Sequence, residues 1–222
     1  MRVIITGTTG MVGKGVLLEC LDSPDVEAVL VVNRRSVEIT HPKLKEILHK
    51  DFLDLSSIKD QLAGYDACFF CLGMSAAGAS NETYYRITHD LTIHWAETLL
   101  ALNPEMTFNY VSGEGTSTEE NSRSNWANVK GKTENEILAM PFKQKYMFRP
   151  GAIQPLRGIR SATPMYNFFI TLFKPLFPLM KWMFPNSITD TTRIGHAMIN
   201  SHKLGFAKPH LTPKDINDLA TQ

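Results

Sequence analysis

The sequence predicts an α/β fold, a doubly wound parallel sheet covered by helices on both faces, with a small, mostly helical lid near the C-terminus. Two observations predict it. Through the first two-thirds of the 222 residues, short runs rich in β-branched and aromatic residues alternate with longer stretches of helical spacing. The first such run, Val3–Thr6, also passes directly into a glycine turn that opens a helix. Strands that alternate with helices imply right-handed crossovers and a parallel sheet buried on both faces.

Each element follows from its own pattern. Val3–Thr6 is an apolar strand, and Met11–Leu21 has helical spacing. Glu27–Val32 and Leu44–His49 read as the second and third strands, with a short helix at Ser56–Leu62. Ala67–Leu72 is wholly apolar, as a central strand should be. Glu82–Leu102 is a long helix, Met106–Val111 a fifth strand, Asn125–Ala139 a helix and Lys145–Phe148 a sixth strand. Further on, Thr189–Ser201 is a helix capped by Thr189 or Asp190, and a last helix is expected after Thr212-Pro213, since proline suits a first helical turn. No repeat or low-complexity linker divides the chain. It reads as one domain over 1–222, with a core of about 1–160 and a lid or interface segment at 161–188.

Composition narrows the function classes. The chain is 43% hydrophobic and 20% charged, enough to bury a sizeable core, and its net charge of +1 argues against a nucleic-acid partner. Three cysteines (Cys20, Cys68 and Cys71) suit a reducing compartment. Cys68 and Cys71 spell C-x-x-C, but on a strand positions i and i+3 face opposite ways, so buried structural thiols are expected rather than a redox or zinc pair. No metal spacing stands out elsewhere. The N-terminus enters the first strand without an apolar leader, so a cytoplasmic location is expected.

The chemistry concentrates at the glycine turn. Gly7-Thr8-Thr9-Gly10-Met11-Val12-Gly13 has the spacing G-x-x-G-x-x-G between a strand and a helix. The first glycine allows a tight turn, the second admits a pyrophosphate to the backbone, and the third lets helix and strand pack closely. The free N–H groups of the helix N-terminus then hold the phosphates. This is the signature of a Rossmann-type dinucleotide site. NAD binders usually end the second strand with an acid that holds the ribose hydroxyls. Here that strand ends Val31-Val32-Asn33-Arg34-Arg35, with no acid and two guanidiniums able to pair with a 2′-phosphate. The expected cofactor is NADP(H), with NAD as the alternative.

These residues resemble the short-chain dehydrogenase/reductase superfamily, in its atypical and extended branches of epimerase/dehydratase-like and NAD(P)H-binding proteins, over roughly residues 1–160. The resemblance implies further roles. Asp51-Phe52 corresponds to a pair that contacts adenine, Cys71-Leu72-Gly73 to the segment along the cofactor ribose, and Arg149-Pro150-Gly151-Ala152-Ile153 to the Pro-Gly loop beside the nicotinamide, with Pro150, Gly151 and Ile153 as contacts. Ser112 lies near the family's catalytic Ser/Thr, though the match can slip by one residue onto Gly113. The family's Y-x-x-x-K pair puts a proton-donating Tyr and a Lys on one helical face. Here the stretch is Trp126-Ala127-Asn128-Val129-Lys130. Lys130 keeps the ribose-binding role, whereas an indole N–H donates but does not titrate. Trp126 therefore cannot be the usual general acid. Tyr84, Tyr85, Tyr110, His89 and His94 are the other groups able to move a proton. Two function classes follow. One is an NADP-dependent oxidoreductase or epimerase-like enzyme acting on a hydrophobic carbonyl substrate. The other is a non-catalytic NADP(H)-binding regulatory or redox-sensing protein.

The stretch Met165–Pro185 is rich in Phe, Met, Leu and Pro, but Lys174, Lys181, Pro175 and Pro178 argue against a membrane span. Three readings stay open: a substrate lid, a homodimer interface, and an interfacial membrane contact by 165–185. A lid or interface lined by core residues is the simplest.

Overall fold

A computed structural model describes residues 1–159, 183 and 186–222. Among these residues, seven strands form one parallel sheet: β1 (Arg2–Thr6), β2 (Ala28–Asn33), β3 (Leu44–Leu48), β4 (Ala67–Phe70), β5 (Thr107–Val111), β6 (Gln144–Phe148) and β9 (His210–Leu211). Their order is β3-β2-β1-β4-β5-β6-β9. The chain reverses direction across the sheet between β1 and β4, so the crevice for a ligand opens above their C-terminal ends.

Burial explains why these segments are strands. Residues 3–6 of β1, 29–33 of β2 and all four of β4 are buried, as expected of central parallel strands covered on both faces. Alternate residues feed two cores. Val3 and Ile5 pack with α1 (Met11–Asp22) and α5 (Thr191–Leu204), while Ile4 packs under α3 (Leu91–Leu102) with Trp95 and Phe108. Cys68 and Cys71 fall on these two different sides and stay free thiols.

The structure departs from the sequence reading at several places. The long helix begins at α2 (Asn81–Tyr85), whose cap Ser80 accepts the Thr83 N–H, and continues through a π-helical turn at Arg86–Asp90 into α3. The expected helix at Ser56–Leu62 is a 3₁₀ turn, Lys59–Leu62. β4 stops at Phe70, which leaves Cys71-Leu72-Gly73 as loop backbone free to line a cleft. Thr189 belongs to β8 (Ile188–Asp190), which pairs in parallel with β7 (Ala152–Gln154). The cap of α5 is therefore Asp190, whose carboxylate accepts the Arg193 N–H at 2.9 Å. The edge strand β9 was not anticipated, because two residues are too few to show a period. It leads into α6 (Pro213–Leu219), which starts with a capping box between Thr212 and Asp215. Nearly all of the 161–188 segment, and with it the lid and interface readings, lies outside the described residues. Among the described residues no helix is long and apolar enough to cross a membrane.

Candidate dinucleotide site

The glycine turn is held by backbone-on-backbone packing. Gly7 adopts φ +69°, and a Cβ there would lie 2.6 Å from the Cys71 carbonyl oxygen. A Cβ on Gly13 would lie 2.4 Å from the Gly7 oxygen, so a side chain at Gly7 would displace the segment after β4 and one at Gly13 would push α1 off the turn. The Gly10 N–H closes the turn on the Gly7 carbonyl at 2.9 Å. Gly10 is also the N-cap of α1, which has no side-chain cap and no acid in its first turn. That helix end is left to an anion, with the macrodipole favouring negative charge. The side chains of Met11 and Val12 pack toward the core, and that of Thr8 is buried, so the backbone of these residues is what faces a ligand.

On one side of the turn is a cavity of about 610 Å³, lined among others by Arg34, Asp51, Phe52, Leu72, Gly73 and Arg86. Its floor is pinned: the buried Trp95 indole donates to the Phe52 carbonyl at 3.0 Å, and the Asp51 carboxylate accepts the Leu53 N–H at 3.0 Å. On the other side, Thr9, Gly10, Lys14, Arg35 and Arg157 line a second cavity of about 640 Å³. Arg34 and Arg35 are both exposed, Arg34 on the first cavity and Arg35 on the second. Asn33 is buried instead: its amide donates to Thr8 Oγ1 at 2.7 Å and to Glu46 Oε1 at 3.2 Å. An uncapped helix end, a glycine-tight turn and a partly apolar slot with cationic rims together fit a dinucleotide.

The other end of the cleft is arranged differently from the sequence expectation. Ser112 follows β5, is almost wholly buried, and donates its hydroxyl to Glu134 Oε1 at 2.5 Å, with the Phe148 carbonyl 3.2 Å away. That hydroxyl is turned under α4 (Asn125–Ala139) rather than toward a ligand. At the next residue, Gly113, a Cβ would meet nothing within 4 Å. The open position thus belongs to a residue without a side chain. Glu134 is completely buried. Arg149 holds it through Nε at 3.0 Å and through Nη2, and His210 Nε2 stands 3.5 Å away. Burial lowers the pKa of His210.

Lys130 lies one helical turn before Glu134 and donates to the Ser112 carbonyl. Burial lowers its pKa from 10.5 to about 8, against the opposing pull of the Glu134 charge. Trp126 is half-buried in the first turn of α4, and its ring edge lies over Gly115. The Pro-Gly loop packs close by: the Glu114 N–H donates to the Pro150 carbonyl at 3.0 Å, and a Cβ on Gly151 would strike Glu114 Oε2 at 2.4 Å. Ile153 turns its side chain into the core.

Apart from His94, whose buried Nε2 has no hydrogen-bond partner among the described residues, the remaining proton carriers are paired or buried elsewhere. Tyr110 is buried beneath α4, where desolvation pushes its phenol up, and burial does the same to Tyr84. Lys132 donates to the Tyr85 hydroxyl at 2.7 Å. His89 pairs with Asp90 at 2.8 Å and with Glu136 at 3.0 Å. His94 follows on α3 with its Nε2 buried, and no metal-binding group of three acidic, His or Cys residues occurs among the described residues. Sequence reasoning missed Glu46, Trp95, Arg86 and Glu134. Only Glu134 left a signal, as the acid four residues after Lys130 on one face of a helix.

A parallel sheet in this order, with a glycine turn after β1 and a lysine-bearing α4 beside the end of β5, defines a protein of the short-chain dehydrogenase/reductase class. The chain belongs to the NAD dependent epimerase/dehydratase family, whose model matches residues 3–130. It is similar to the FMP52 protein, named mitochondrial, of Saccharomyces cerevisiae, with 28% identity over 172 residues, 76% of this chain and 71% of that one. The Debaryomyces hansenii FMP52 protein, also named mitochondrial, is 30% identical over 69% of this chain and 67% of its own length. These names overturn the expected cytoplasmic location, because the way the first strand opens does not decide the compartment. Among solved structures, a short-chain dehydrogenase/reductase of Saccharomyces cerevisiae superposes with a TM-score of 0.68 at 13% identity, covering 98% of both chains. A dTDP-glucose 4,6-dehydratase of Streptomyces venezuelae, holding NAD, superposes at 0.70 with 13% identity over 99% of this chain and 80% of that one.

Proposed function

We propose that this protein holds NADP(H) across the Gly7–Gly13 turn as a ligand, and that it does not run the family's tyrosine-dependent proton transfer. The observation that carries this reading is the pairing at the cleft. The position for a proton-donating Tyr holds Trp126, and the neighbouring hydroxyl, Ser112, is spent on buried Glu134. Arg34 and Arg35 support the choice of NADP(H) over NAD, because each can meet a 2′-phosphate while no acid in the sequence ends β2. When bound, the cofactor would supply a hydride donor or acceptor. The chain's own part is to seat the phosphates on backbone N–H groups and to offer Lys130 to the ribose.

A second reading rests on Lys130. With its pKa near 8, it can give up or take a proton close to neutral pH, so an oxidoreductase acting on an apolar carbonyl compound could use the ammonium in place of the phenol. One experiment separates the two readings. NADPH is bound, as read by its fluorescence, and its absorbance is followed with a panel of aldehydes, ketones and quinones. The binding reading expects occupancy without consumption. Steady consumption with any member that is lost in Lys130→Met would overturn it in favour of the enzyme.

A further inference from the structure

Resting on the NADP(H) reading, we propose that Glu46 is a positioning residue that sets the preference for NADP over NAD. It lies on β3, outside the segment in which a cofactor-selecting acid is sought. Its carboxylate nonetheless reaches the end of β2. Oε1 accepts the Asn33 amide at 3.2 Å and the Val37 N–H at 3.0 Å, and Oε2 accepts the Ser36 hydroxyl at 2.6 Å. These three donors bracket Arg34 and Arg35 on both sides, so the two arginines stand at the apex of a loop whose feet are tied to one carboxylate.

The tie continues into the phosphate turn. The Asn33 amide that donates to Glu46 also donates to the fully buried Thr8 hydroxyl at 2.7 Å. From the far side, Lys14 on α1 donates to the Val37 carbonyl at 3.2 Å. The seat for the pyrophosphate and the seat for the 2′-phosphate are therefore one bonded unit: Thr8, Asn33, Glu46, then Ser36 and Val37. A carboxylate that accepts three hydrogen bonds is occupied, and it is not offered to the ribose hydroxyls as the acid of an NAD site would be. Its role is geometric. By pre-ordering the loop it spares two long arginine side chains the entropy of finding the phosphate.

The test measures dissociation constants for NADP⁺ and NAD⁺ in the wild type, Glu46→Ala and Glu46→Gln. The ratio of the two constants cancels any general loss of folded protein. Glu46→Ala should narrow the preference for NADP⁺ by about tenfold while changing NAD⁺ affinity little. Glu46→Gln, whose amide oxygen can still accept from Asn33 and Val37, should keep most of the preference. An unchanged ratio in Glu46→Ala, or equal losses for both cofactors, overturns the role assigned to Glu46 and leaves the NADP(H) reading standing. A higher NADP⁺ preference in Glu46→Gln also overturns it, because the carboxylate would then act as a repelling charge. A wild type without preference overturns both.

Discussion

Arg34 and Arg35 are neighbours in the chain, yet they line different cavities on either side of the glycine turn. A charged hydrogen bond to a phosphate contributes about 1.5–3 kcal/mol. Arg34→Ala and Arg35→Ala are each expected to weaken NADP⁺ binding by about tenfold or more and NAD⁺ binding far less, as read by competition for the site. Trp126 calls for the opposite kind of experiment. Trp126→Tyr restores a phenol, but Ser112 stays tied to Glu134 and Gly113 has no side chain to polarise a carbonyl. No NADPH turnover with a simple ketone is expected from that variant, and sustained turnover would show that Trp126 alone withholds the chemistry. Lys130 gives a signature in pH. Its folded pKa, about 8, lies below its ordinary 10.5, so at neutral pH its charge opposes folding. Between about pH 8 and 10.5 the folded protein sheds this proton before the unfolded chain does, and the penalty fades as pH rises. Urea midpoints should therefore climb less from about pH 7 to about pH 9 in Lys130→Met than in the wild type.

At the scale of elements, the end of β5, the end of β6, α4 and β9 meet at a single buried carboxylate. Glu134 takes Ser112 from β5, Arg149 after β6 and the approach of His210 from β9. Removing one partner of a buried ion pair typically costs about 3–5 kcal/mol, because the other charge is left unpaired. Glu134→Ala should therefore destabilise the protein by about that amount in chemical denaturation. Ser112→Ala, which removes one hydrogen bond to the Glu134 charge, should cost less, about 1.5–3 kcal/mol. A small loss for Glu134→Ala would mean that Arg149 finds solvent instead. Several elements were legible in the sequence because their signals are local. β1, β2, β4, α1 and α4 announce themselves by burial period and glycine spacing. The 3₁₀ turn, the π-helical turn and β9 were not legible, because tertiary pairing rather than local pattern decides them.

Across the whole molecule, the two ends of the cleft were legible to different degrees. The nucleotide end is written in contiguous residues, Gly7–Gly13 and Asn33–Arg35, and the sheet carries both to one crevice. What selects among cofactors there includes Glu46, thirteen residues after Asn33, and only the parallel register of β2 with β3 brings the two together. At the chemical end the sequence pointed to Ser112, while the structure turns that hydroxyl inward and leaves Gly113 facing open space. The family resemblance placed the serine near the catalytic position, but the buried acid that claims it sits twenty-two residues away on another element. The fold therefore supports holding a dinucleotide more directly than transforming a substrate. The most direct test is calorimetric titration of the intact protein with NADP⁺ and with NAD⁺ in the same buffer. One site per chain with at least about tenfold tighter binding of NADP⁺ is the predicted result. Equal affinities, or no heat from either, would contradict it.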